Sequence, residues 1–450
     1  MNDPNGFIRA FNKYYIFYQY NPDQITHGSI KWGLAVSDDL IKFEEKDIAL
    51  INNSSYDKDG CWSGSAIFDN DTLYLIYTGN AEHDLSRTQT QNIAYSKDGA
   101  KFEKYAKNPV IFENTLPENC SISDIRDPSI FKEKDTYYVL IGNRSNSNKA
   151  NLLLFKSKDM KSFEFDRYII KESDDCYMFE CPSSYKFDEK RILVASLIGY
   201  KQKGDEFLNH MSSAYLVTDE NFSAVNPDNF KEIDYGFDFY APIICQNDNL
   251  MIAWMAMWDR NWYANYANLE YNHNLTLPRR ITLNADNKLI QKPIESLRKY
   301  FKPVLIEEVT LDVNSEYSNP KYNGFYKHLQ LELNPSCNYN IKLLSNKTNY
   351  GLLTIEDGYL IYDVSHYQYQ IKGNPDEIST KQQYRKVKFN SKDKLIIDIY
   401  IDRVALEIFA EDGLISMSNM NYVTDDCDEF SISSTSENTV IIRAEDFIDE

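Results

Sequence analysis

Residues 2–20, NDPNGFIRAFNKYYIFYQY, decide the fold, because they place a short polar motif shortly before a strand-like aromatic run. The same pairing recurs about every sixty residues through roughly the first 260 residues. The motifs are Asn2-Asp3-Pro4-Asn5, Trp62-Ser63-Gly64-Ser65, Arg126-Asp127-Pro128, Glu180-Cys181-Pro182 and Tyr240-Ala241-Pro242, and the runs are residues 14–17, 73–77, 137–141, 192–197 and 250–254. Repeats of this length, made of short strands and turns, are typical of a β-propeller.

A second motif keeps the same spacing and supports the repeat. It reads Ser37-x-Asp39, Ser96-x-Asp98 and Ser157-x-Asp159, and a phenylalanine follows each copy. In a propeller, equivalent positions of successive blades can converge on one central pocket. We therefore expect Asp3, Asp127 and Glu180 to be neighbours in space.

The composition predicts an all-β protein with two domains. The 450 residues include 34 tyrosines and 24 phenylalanines, and these occur in short aromatic and β-branched clusters separated by turn residues. The repeat fades after Trp258, and a short helical stretch and alternating strands follow it. The sequence thus predicts a catalytic propeller over residues 1–292, a short helical linker over 293–302 and a β-sandwich over 303–450.

Charge and residue usage narrow the choice of partners. The formal net charge of −20 disfavours nucleic acid and membrane surfaces, since both bind basic patches, and a neutral substrate fits better. Seven cysteines without a CxxC pair and six scattered histidines predict reduced thiols and no metal site. No leader peptide is seen, so we expect a cytoplasmic protein, or a secreted one if residues upstream of Met1 are missing.

Three carboxylates and an arginine around one pocket suit the cleavage of a glycosidic bond. One carboxylic acid protonates the leaving oxygen, and in the retaining reaction a second carboxylate, about 5–5.5 Å away, attacks the anomeric carbon. Glu180, flanked by Phe179 and Cys181, is the candidate acid. Arg126 is expected to hold Asp127 ionised, because a neighbouring cation lowers the pKa of a carboxyl group.

Each motif taken alone has a plainer interpretation. A single Asp-Pro is usually a turn, and Trp62 and Trp258 also fit ordinary core positions. Cys181 is expected to pack rather than react, since buried thiols are usually inert. The shared phase of the acids within the repeat is what favours a catalytic site.

Taken in order, the motifs resemble those of glycoside hydrolase family 32, the β-fructosidases, over nearly the whole chain. The resemblance rests on Asn2-Asp3-Pro4-Asn5-Gly6, Phe17-Tyr18-Gln19, Trp62-Ser63-Gly64-Ser65, Arg126-Asp127-Pro128, Glu180-Cys181-Pro182 and Asp238-Phe239-Tyr240-Ala241-Pro242, with Leu277-Pro278-Arg279 and Leu406-Glu407-Ile408-Phe409 as later landmarks. It implies a five-bladed β-propeller followed by a β-sandwich. It also implies a retaining hydrolase that releases β-linked fructose from sucrose or short fructans without a metal or an organic cofactor.

The resemblance also implies a role for each acid. Asp3 would be the nucleophile that forms a covalent fructosyl-enzyme, Glu180 the general acid and then the general base, and Asp127 the stabiliser of the transition state. Substrate-binding residues are expected at Asn2, Gln19, Trp62, Ser63, Arg126, Tyr240 and Trp258.

Three departures from the family pattern, at His27, Leu34 and Ile243, leave the substrate open. Their side chains are expected around the pocket, where lost polar groups change discrimination. The alternatives left open are a sucrose-6-phosphate hydrolase, a fructosyltransferase, a non-catalytic fructan-binding protein of the same fold and an arabinan-degrading relative, the last disfavoured by motif order. Lys31, Lys201 and Lys203 are the candidate phosphate ligands for the first of these, and a homodimer is also left open.

Overall fold

A computed structural model describes residues 1–24, 28–258, 260, 261, 263, 267, 269–372 and 382–449. The chain divides into two compact units. Unit 1 comprises Met1–Lys201, Met211–Glu232 and Tyr240–Trp254, and unit 2 comprises Gln202–His210, Ile233–Phe239 and Met255–Glu450. The predicted domain limits at residues 292 and 303 stay predictions.

Unit 1 contains four-stranded antiparallel sheets, each formed by consecutive strands in chain order. Its strands are β1 (Pro4–Ala10), β2 (Lys13–Tyr20), β3 (Lys31–Ser37) and β4 (Glu44–Leu50); β5 (Gly60–Asp69), β6 (Thr72–His83), β7 (Ser86–Ser96) and β8 (Glu103–Lys104); β9 (Cys120–Glu133), β10 (Thr136–Ser145), β11 (Ala150–Ser157) and β12 (Glu164–Ser173); β13 (Met178–Phe187), β14 (Lys190–Ile198), β15 (Met211–Asp219) and β16 (Lys231–Glu232); and the hairpin β17 (Tyr240–Ile244) and β18 (Leu250–Met255). Short 3₁₀ helices span Glu113–Thr115 and Pro227–Asn229. The five predicted strand-like runs lie inside β2, β6, β10, β14 and β18, so they are confirmed.

The Ser-x-Asp motif forms the turn between the third and fourth strands of a sheet. Ser37 Oγ accepts a hydrogen bond from the amide of Leu40 at 2.8 Å, and Asp39 Oδ1 accepts from the next two amides at 3.0 and 3.1 Å. The copies at Ser96 and Ser157 make the same set of bonds. The spacing in the sequence therefore marks one turn in each of three sheets.

Buried side chains join the first sheet of unit 1 to the second, and the second sheet to the third. Phe17 and Trp32 of the first sheet share a core with Leu75 of the second, and Ile76 of the second shares another with Val139 of the third. The motif-bearing strands β1, β5, β9, β13 and β17 contact one another in that order, and β17 contacts β1. All five motifs are thus brought to one closed succession of strands, while the blade number of five stays a prediction.

Unit 2 contains two antiparallel sheets after the short strands β19 (Asn274–Leu275), β20 (Arg279–Leu283) and β21 (Leu289–Pro293). The six-stranded sheet runs β22 (Phe301–Leu311), β32 (Asn438–Phe447), β23 (Tyr326–Leu333), β28 (Leu395–Asp402), β29 (Ala405–Ala410), β30 (Ile415–Met420), and the five-stranded sheet runs β27 (Tyr384–Lys388), β26 (Tyr359–Asp363), β25 (Gly351–Glu356), β24 (Tyr339–Ser345), β31 (Glu429–Ser434). The 3₁₀ helices of this unit are Glu295–Tyr300, Pro320–Tyr322 and Glu411–Gly413.

The two large sheets of unit 2 pack face to face. Burial alternates along β23 and β28, so Leu331 and Ile397 point to the same inner face, as the two-residue period of a strand requires. They share one apolar core with Ile341 and Leu353 of the other sheet. This is the layered core of a β-sandwich.

Arg279 is a fully buried charge in unit 2. Nη1 donates to Asp234 Oδ2 and to Gln291 Oε1, both at 3.0 Å, and Nη2 donates to Glu407 Oε2 at 2.6 Å. A buried ion is tolerated when opposite charges lie beside it and accept its hydrogen bonds, as Asp234 and Glu407 do here. Two landmarks that are 128 residues apart in sequence therefore bind each other.

His328 on β23 lies between carboxylates of the two neighbouring strands. Nδ1 lies 2.8 Å from Glu445 Oε2 of β32, and Nε2 lies 2.9 Å from Asp398 Oδ1 of β28. Both ring nitrogens can donate only when the imidazole is protonated. Burial by itself lowers the pKa of His328, but the bonds to the two carboxylates outweigh it and raise the pKa above its usual value.

We expect the stability of the protein to fall as the pH rises through the raised pKa of His328. The folded state holds this proton more tightly than the unfolded chain, so the stabilisation is complete below the unfolded pKa of about 6.5 and is lost above the folded one. Urea unfolding between pH 5.5 and 9 measures it. His328→Leu should lower the free energy of unfolding by about 2 kcal/mol at the acidic end and flatten the dependence; a variant that keeps the wild-type slope would contradict this.

Candidate active site

The five motifs share a distortion of the strands that carry them. These are β1, β5, β9, β13 and β17, which we call the innermost strands because they contact one another in a closed succession. The pairing of each innermost strand with its neighbour shifts register at the motif. Asp127, Cys181 and Ala241, which each precede a proline, adopt left-handed φ angles of 63°, 44° and 50°. Bulges bend a strand and redirect its side chains, and a positive φ is unfavourable for residues other than glycine. Such backbone needs support from its surroundings.

Each of these three residues donates its amide to a side-chain oxygen. The amide of Asp127 donates to Thr78 Oγ1 at 2.9 Å, and that of Ala241 donates to Ser196 Oγ at 3.0 Å. The amide of Cys181 instead donates to Asp127 Oδ2 at 3.0 Å. A buried amide without a partner is costly, so these bonds stabilise the turns that carry the motifs.

Gly142 accounts for the different partner of Cys181. Gly142 pairs with Arg126 in the third sheet, as Thr78 pairs with Trp62 in the second sheet and Ser196 with Glu180 in the fourth. In each pair the partner residue directly precedes the register shift of its strand. A Cβ at Gly142 would lie 1.8 Å from the carbonyl oxygen of Phe179. A hydroxyl side chain has no room there, and the amide of Cys181 binds a carboxylate oxygen instead.

Asp3 is buried and accepts hydrogen bonds on both carboxylate oxygens. Oδ2 accepts from Ser63 Oγ at 2.5 Å and from Cys181 Sγ at 3.6 Å, and Oδ1 accepts from Asn2 Nδ2 at 3.2 Å. Gln19 holds the donors in place, because its Nε2 donates to Ser63 Oγ and its Oε1 accepts from Asn2 at 3.1 Å. Ser63 and Cys181, which are distant from Asp3 in sequence, thus bind its carboxylate together with the adjacent Asn2.

Burial dominates the electrostatics of Asp3. It raises the pKa of this carboxyl above its usual value; the bond from Ser63 opposes the shift, and the charge of Glu180 adds to it. The Cys181 thiol is affected in the same sense, since burial and then the charges of Asp127 and Asp3 raise its pKa well above the usual value. The thiol therefore stays protonated and serves as a donor, in keeping with its predicted non-nucleophilic role.

Glu180 has a donor on each of its carboxylate oxygens. Oε1 accepts from Arg126 Nε at 2.9 Å and lies 2.8 Å from Nη2, while Oε2 accepts from the Tyr240 hydroxyl at 2.7 Å. Burial and then the charge of Glu180 raise the pKa of Tyr240 well above its usual value. The raised pKa favours a protonated Tyr240 hydroxyl beside Glu180.

Arg126 does not hold Asp127 ionised, and that prediction is wrong. Burial and the charge of Glu180 raise the pKa of Asp127, and the opposing effect of Arg126 does not cancel them. The guanidinium directs its nitrogens to Glu180 and to Asp124. Adjacency in sequence gave the wrong bonding partner, because the register shift and the left-handed φ at Asp127 redirect its side chain relative to that of Arg126.

Trp62 and Ile243 lie in unit 1 beside these groups. The Trp62 carbonyl accepts from Trp32 Nε1 at 3.1 Å, and its ring lies 5.5 Å below the guanidinium of Arg87. Ile243 borders a small cavity of about 20 Å³ that Asp127 and Cys181 also line. Trp258 belongs to unit 2, so its part in substrate binding stays a prediction, and His27 lies outside the described residues.

Leu34 does not lie around the pocket, and that expectation is wrong. It is 1% exposed and packs in the apolar core with Phe17 and Trp32. Its place on the third strand of the first sheet, away from the motif-bearing strand, explains this position.

Sequence reasoning missed Thr78, Arg87 and Asp124. Asp124 Oδ1 accepts from Arg126 Nη1 at 3.2 Å and also from Arg87 Nη2. Asp124 stands two residues before Arg126 and so faces the same side of β9, which is a signal that the sequence did contain. Thr78 could not be found in this way, because its role depends on contact between two sheets.

Metal sites, membrane-spanning helices and disulfides can be assessed for the residues that the structure describes. Among those residues, no three histidine, cysteine, aspartate or glutamate side chains are placed to hold a metal ion. No helix among them has the length and apolar character to cross a membrane. The seven cysteines carry free thiols.

Family models match most of this chain. The model described as "Glycosyl hydrolases family 32 N-terminal domain" matches residues 1–293, and that described as "Glycosyl hydrolases family 32 C terminal" matches residues 324–446. A sucrose-6-phosphate hydrolase of Escherichia coli is 30% identical over 436 residues, which cover 94% of this chain and 87% of the relative.

Solved structures resemble both units. A Bombyx mori GH32 beta-fructofuranosidase is 27% identical and superposes with a TM-score of 0.84, covering 99% of this chain and 91% of its own, and a mutant of it has been solved in complex with sucrose. Sucrose-6-phosphate hydrolase from Lactobacillus gasseri has a TM-score of 0.85 at 23% identity, covering 99% and 90%. The predicted propeller followed by a sandwich is confirmed as the fold.

Leu34→His is expected to affect stability rather than substrate preference. An imidazole in this apolar core lacks the partners it has in water, so we expect the free energy of unfolding to fall by about 2–4 kcal/mol. Leu34→Met is the matched control, with an expected cost below about 1.5 kcal/mol. Urea unfolding and the ratio of kcat/KM for two fructosides measure both effects; a stable variant with a changed ratio would restore Leu34 to the pocket.

Proposed function

Because this chain belongs to glycoside hydrolase family 32, we propose that it cleaves a β-fructoside with retention, through a covalent fructosyl-enzyme. It is a fructose-releasing glycoside hydrolase. The observation that carries the mechanism is the presence of two acidic side chains with different partners in one site, Asp3 and Glu180. A retaining reaction needs one carboxylate to attack and another acid to transfer protons.

Asp3 is proposed as the nucleophile. Its ionised form is the one that accepts all three bonds, from Ser63, Cys181 and Asn2. In the first step, an Asp3 oxygen attacks the anomeric carbon of the fructosyl group as the bond to the leaving oxygen breaks. The hydrogen bonds fix the orientation of the carboxylate before substrate arrives, which lowers the entropic part of the barrier.

Glu180 is proposed to donate a proton to the leaving oxygen and then to accept one from the attacking water. Water completes the second step by breaking the ester to Asp3 and releasing fructose with its configuration retained. The Tyr240 hydroxyl can either donate or accept, so it can follow Glu180 between its two protonation states. Arg126 holds the other oxygen, which keeps the side chain aimed in both steps.

Asp127 is proposed to hold sugar hydroxyls and stabilise the oxocarbenium-like transition state. The bond from the amide of Cys181 fixes one of its oxygens. Its raised pKa lets this carboxyl take part in hydrogen bonds to hydroxyls as acceptor or donor. A proton shared in this way avoids three full negative charges in one buried site.

A sucrose-6-phosphate hydrolase is the second candidate function. The similarity to the Escherichia coli enzyme of that name favours it, whereas the Bombyx mori complex with sucrose favours the unphosphorylated substrate. Of the candidate phosphate ligands, Lys31 lies 3.8 Å from Asp23, while Lys201 and Lys203 belong to different units. Fructosyl transfer, a cytoplasmic location and a homodimer stay predictions.

Asp3→Asn should lower fructose release by about 10⁴-fold or more, since an amide cannot form the ester intermediate. Purified wild-type and variant proteins are incubated with sucrose, sucrose-6-phosphate, inulin and levan, and free fructose is measured. The substrate with the highest kcat/KM identifies the specificity. Thermal unfolding controls for folding, and a folded Asp3→Asn protein with substantial activity would place the nucleophile elsewhere.

Glu180→Gln should slow sucrose hydrolysis by about 10²–10⁴-fold, because the leaving sugar then departs without a proton. An aryl β-fructoside with an acidic phenol needs no such help, so its first step should be affected much less. Added azide should restore turnover and give a fructosyl azide of retained configuration, seen by NMR. Equal losses on both substrates in a folded variant would remove the acid assignment.

A further inference from the structure

Glu180 is one end of a row of alternating charges in unit 1. Arg126 binds Glu180 Oε1 through Nε and Nη2, and its Nη1 donates to Asp124 Oδ1 at 3.2 Å. Arg87 Nη2 donates to the same oxygen of Asp124. The guanidinium of Arg126 is therefore shared between two carboxylates, and one of those carboxylates is shared between two guanidinium groups.

Arg87 is fixed to the segment that carries Asp124. Its Nε donates to the carbonyl of Ser123 at 2.8 Å, and Ser123 Oγ donates to the carbonyl of Arg87 at 2.8 Å. Asn143 Nδ2 donates to the carbonyl of Asp124 at 2.9 Å. The side chains of Arg87 and Asp124 are 32% and 18% exposed, so solvent screens their charges only in part.

Building on the proposed role of Glu180 as acid and base, we propose that Asp124 and Arg87 are positioning residues. They set how firmly Arg126 binds Glu180. Asp124 competes with Glu180 for one guanidinium charge, and Arg87 reduces that competition by pairing with Asp124. Neither residue needs to touch the substrate. Their influence reaches the reacting atoms through Arg126.

The other ionisable groups that face this end of Glu180 come from several strands. They are Asp3 just before β1, Asp127 of β9, Cys181 of β13 and Tyr240 of β17. The hydrogen bonds described above for these four groups run to residues other than Asp124 and Arg87. A change in the pH profile therefore reports the charge row rather than a rebuilt site.

The test is the pH profile of kcat/KM for sucrose hydrolysis by the full chain. The alkaline limb of this profile reports the acid that must be protonated in the free enzyme. Asp124→Asn removes a negative charge and releases Arg126 to the acid, so the limb should move to lower pH by about half a unit. Arg87→Met removes a positive charge and frees Asp124 to draw Arg126 away, so the limb should move to higher pH by a similar amount.

Matched controls separate this effect from general damage. Asp166→Asn and Arg167→Met alter an ion pair on β12 whose side chains are 17% and 44% exposed, and they should leave the limb in place. Arg87→Lys keeps the charge and should also leave it in place, while the double variant Asp124→Asn/Arg87→Met should return close to the wild type. If Asp124→Asn does not fold, the comparison of Arg87→Met with Arg87→Lys still shows in which direction the alkaline limb moves.

Limbs that move in the same direction for Asp124→Asn and Arg87→Met, or that do not move, would overturn the inference. The proposed function fails separately. If Glu180→Gln retains wild-type activity, Glu180 is not the acid; if Glu180→Gln is inactive and the limbs are fixed, only the positioning role is lost.

Discussion

The site depends on how the amide of each left-handed residue before a proline is bound by a side-chain oxygen. In two innermost strands a hydroxyl of the preceding sheet supplies that oxygen. In the third case the carbonyl oxygen of Phe179 leaves no room for a side chain at Gly142. The amide of Cys181 therefore donates to the Asp127 carboxylate instead. One backbone constraint thus joins two of the sequence motifs, because the residue that accepts this bond is itself a candidate catalytic acid.

The second constraint on unit 1 is the repulsion between carboxylates that lie close together in a buried site. Three acids meet in a buried site, and burial raises the pKa of Asp3 and Asp127. Arg126 is bound to Glu180 rather than to its sequence neighbour, and Asp3 and Asp127 accept hydrogen bonds from Ser63 and from the amide of Cys181. Like charges at short range oppose one another's ionisation, and after burial the charge of Glu180 adds to the raised pKa of Asp3 and of Asp127.

The same rule governs unit 2, where the consequence is structural. Arg279 is fully buried and is matched by Asp234 and Glu407, and His328 is matched by two carboxylates on adjacent strands. Removing the cation from either cluster would leave two carboxylates without their counter-charge. These pairs bind segments of this unit that are far apart in sequence.

The sequence by itself determined the sheet repeat, the Ser-x-Asp turns and the set of motif positions that carry the acids, because period and turn chemistry are local. It did not determine which charges pair. Arg126 adjoins Asp127 in sequence but binds Glu180, and Leu34 stands in a motif region but is buried in the core. Thr78, Gly142 and the Arg87–Asp124 pair took their roles only when sheets packed together. Tertiary structure decides these points, because a side-chain partner is set by distance across strands and by burial, neither of which is encoded in adjacency along the chain.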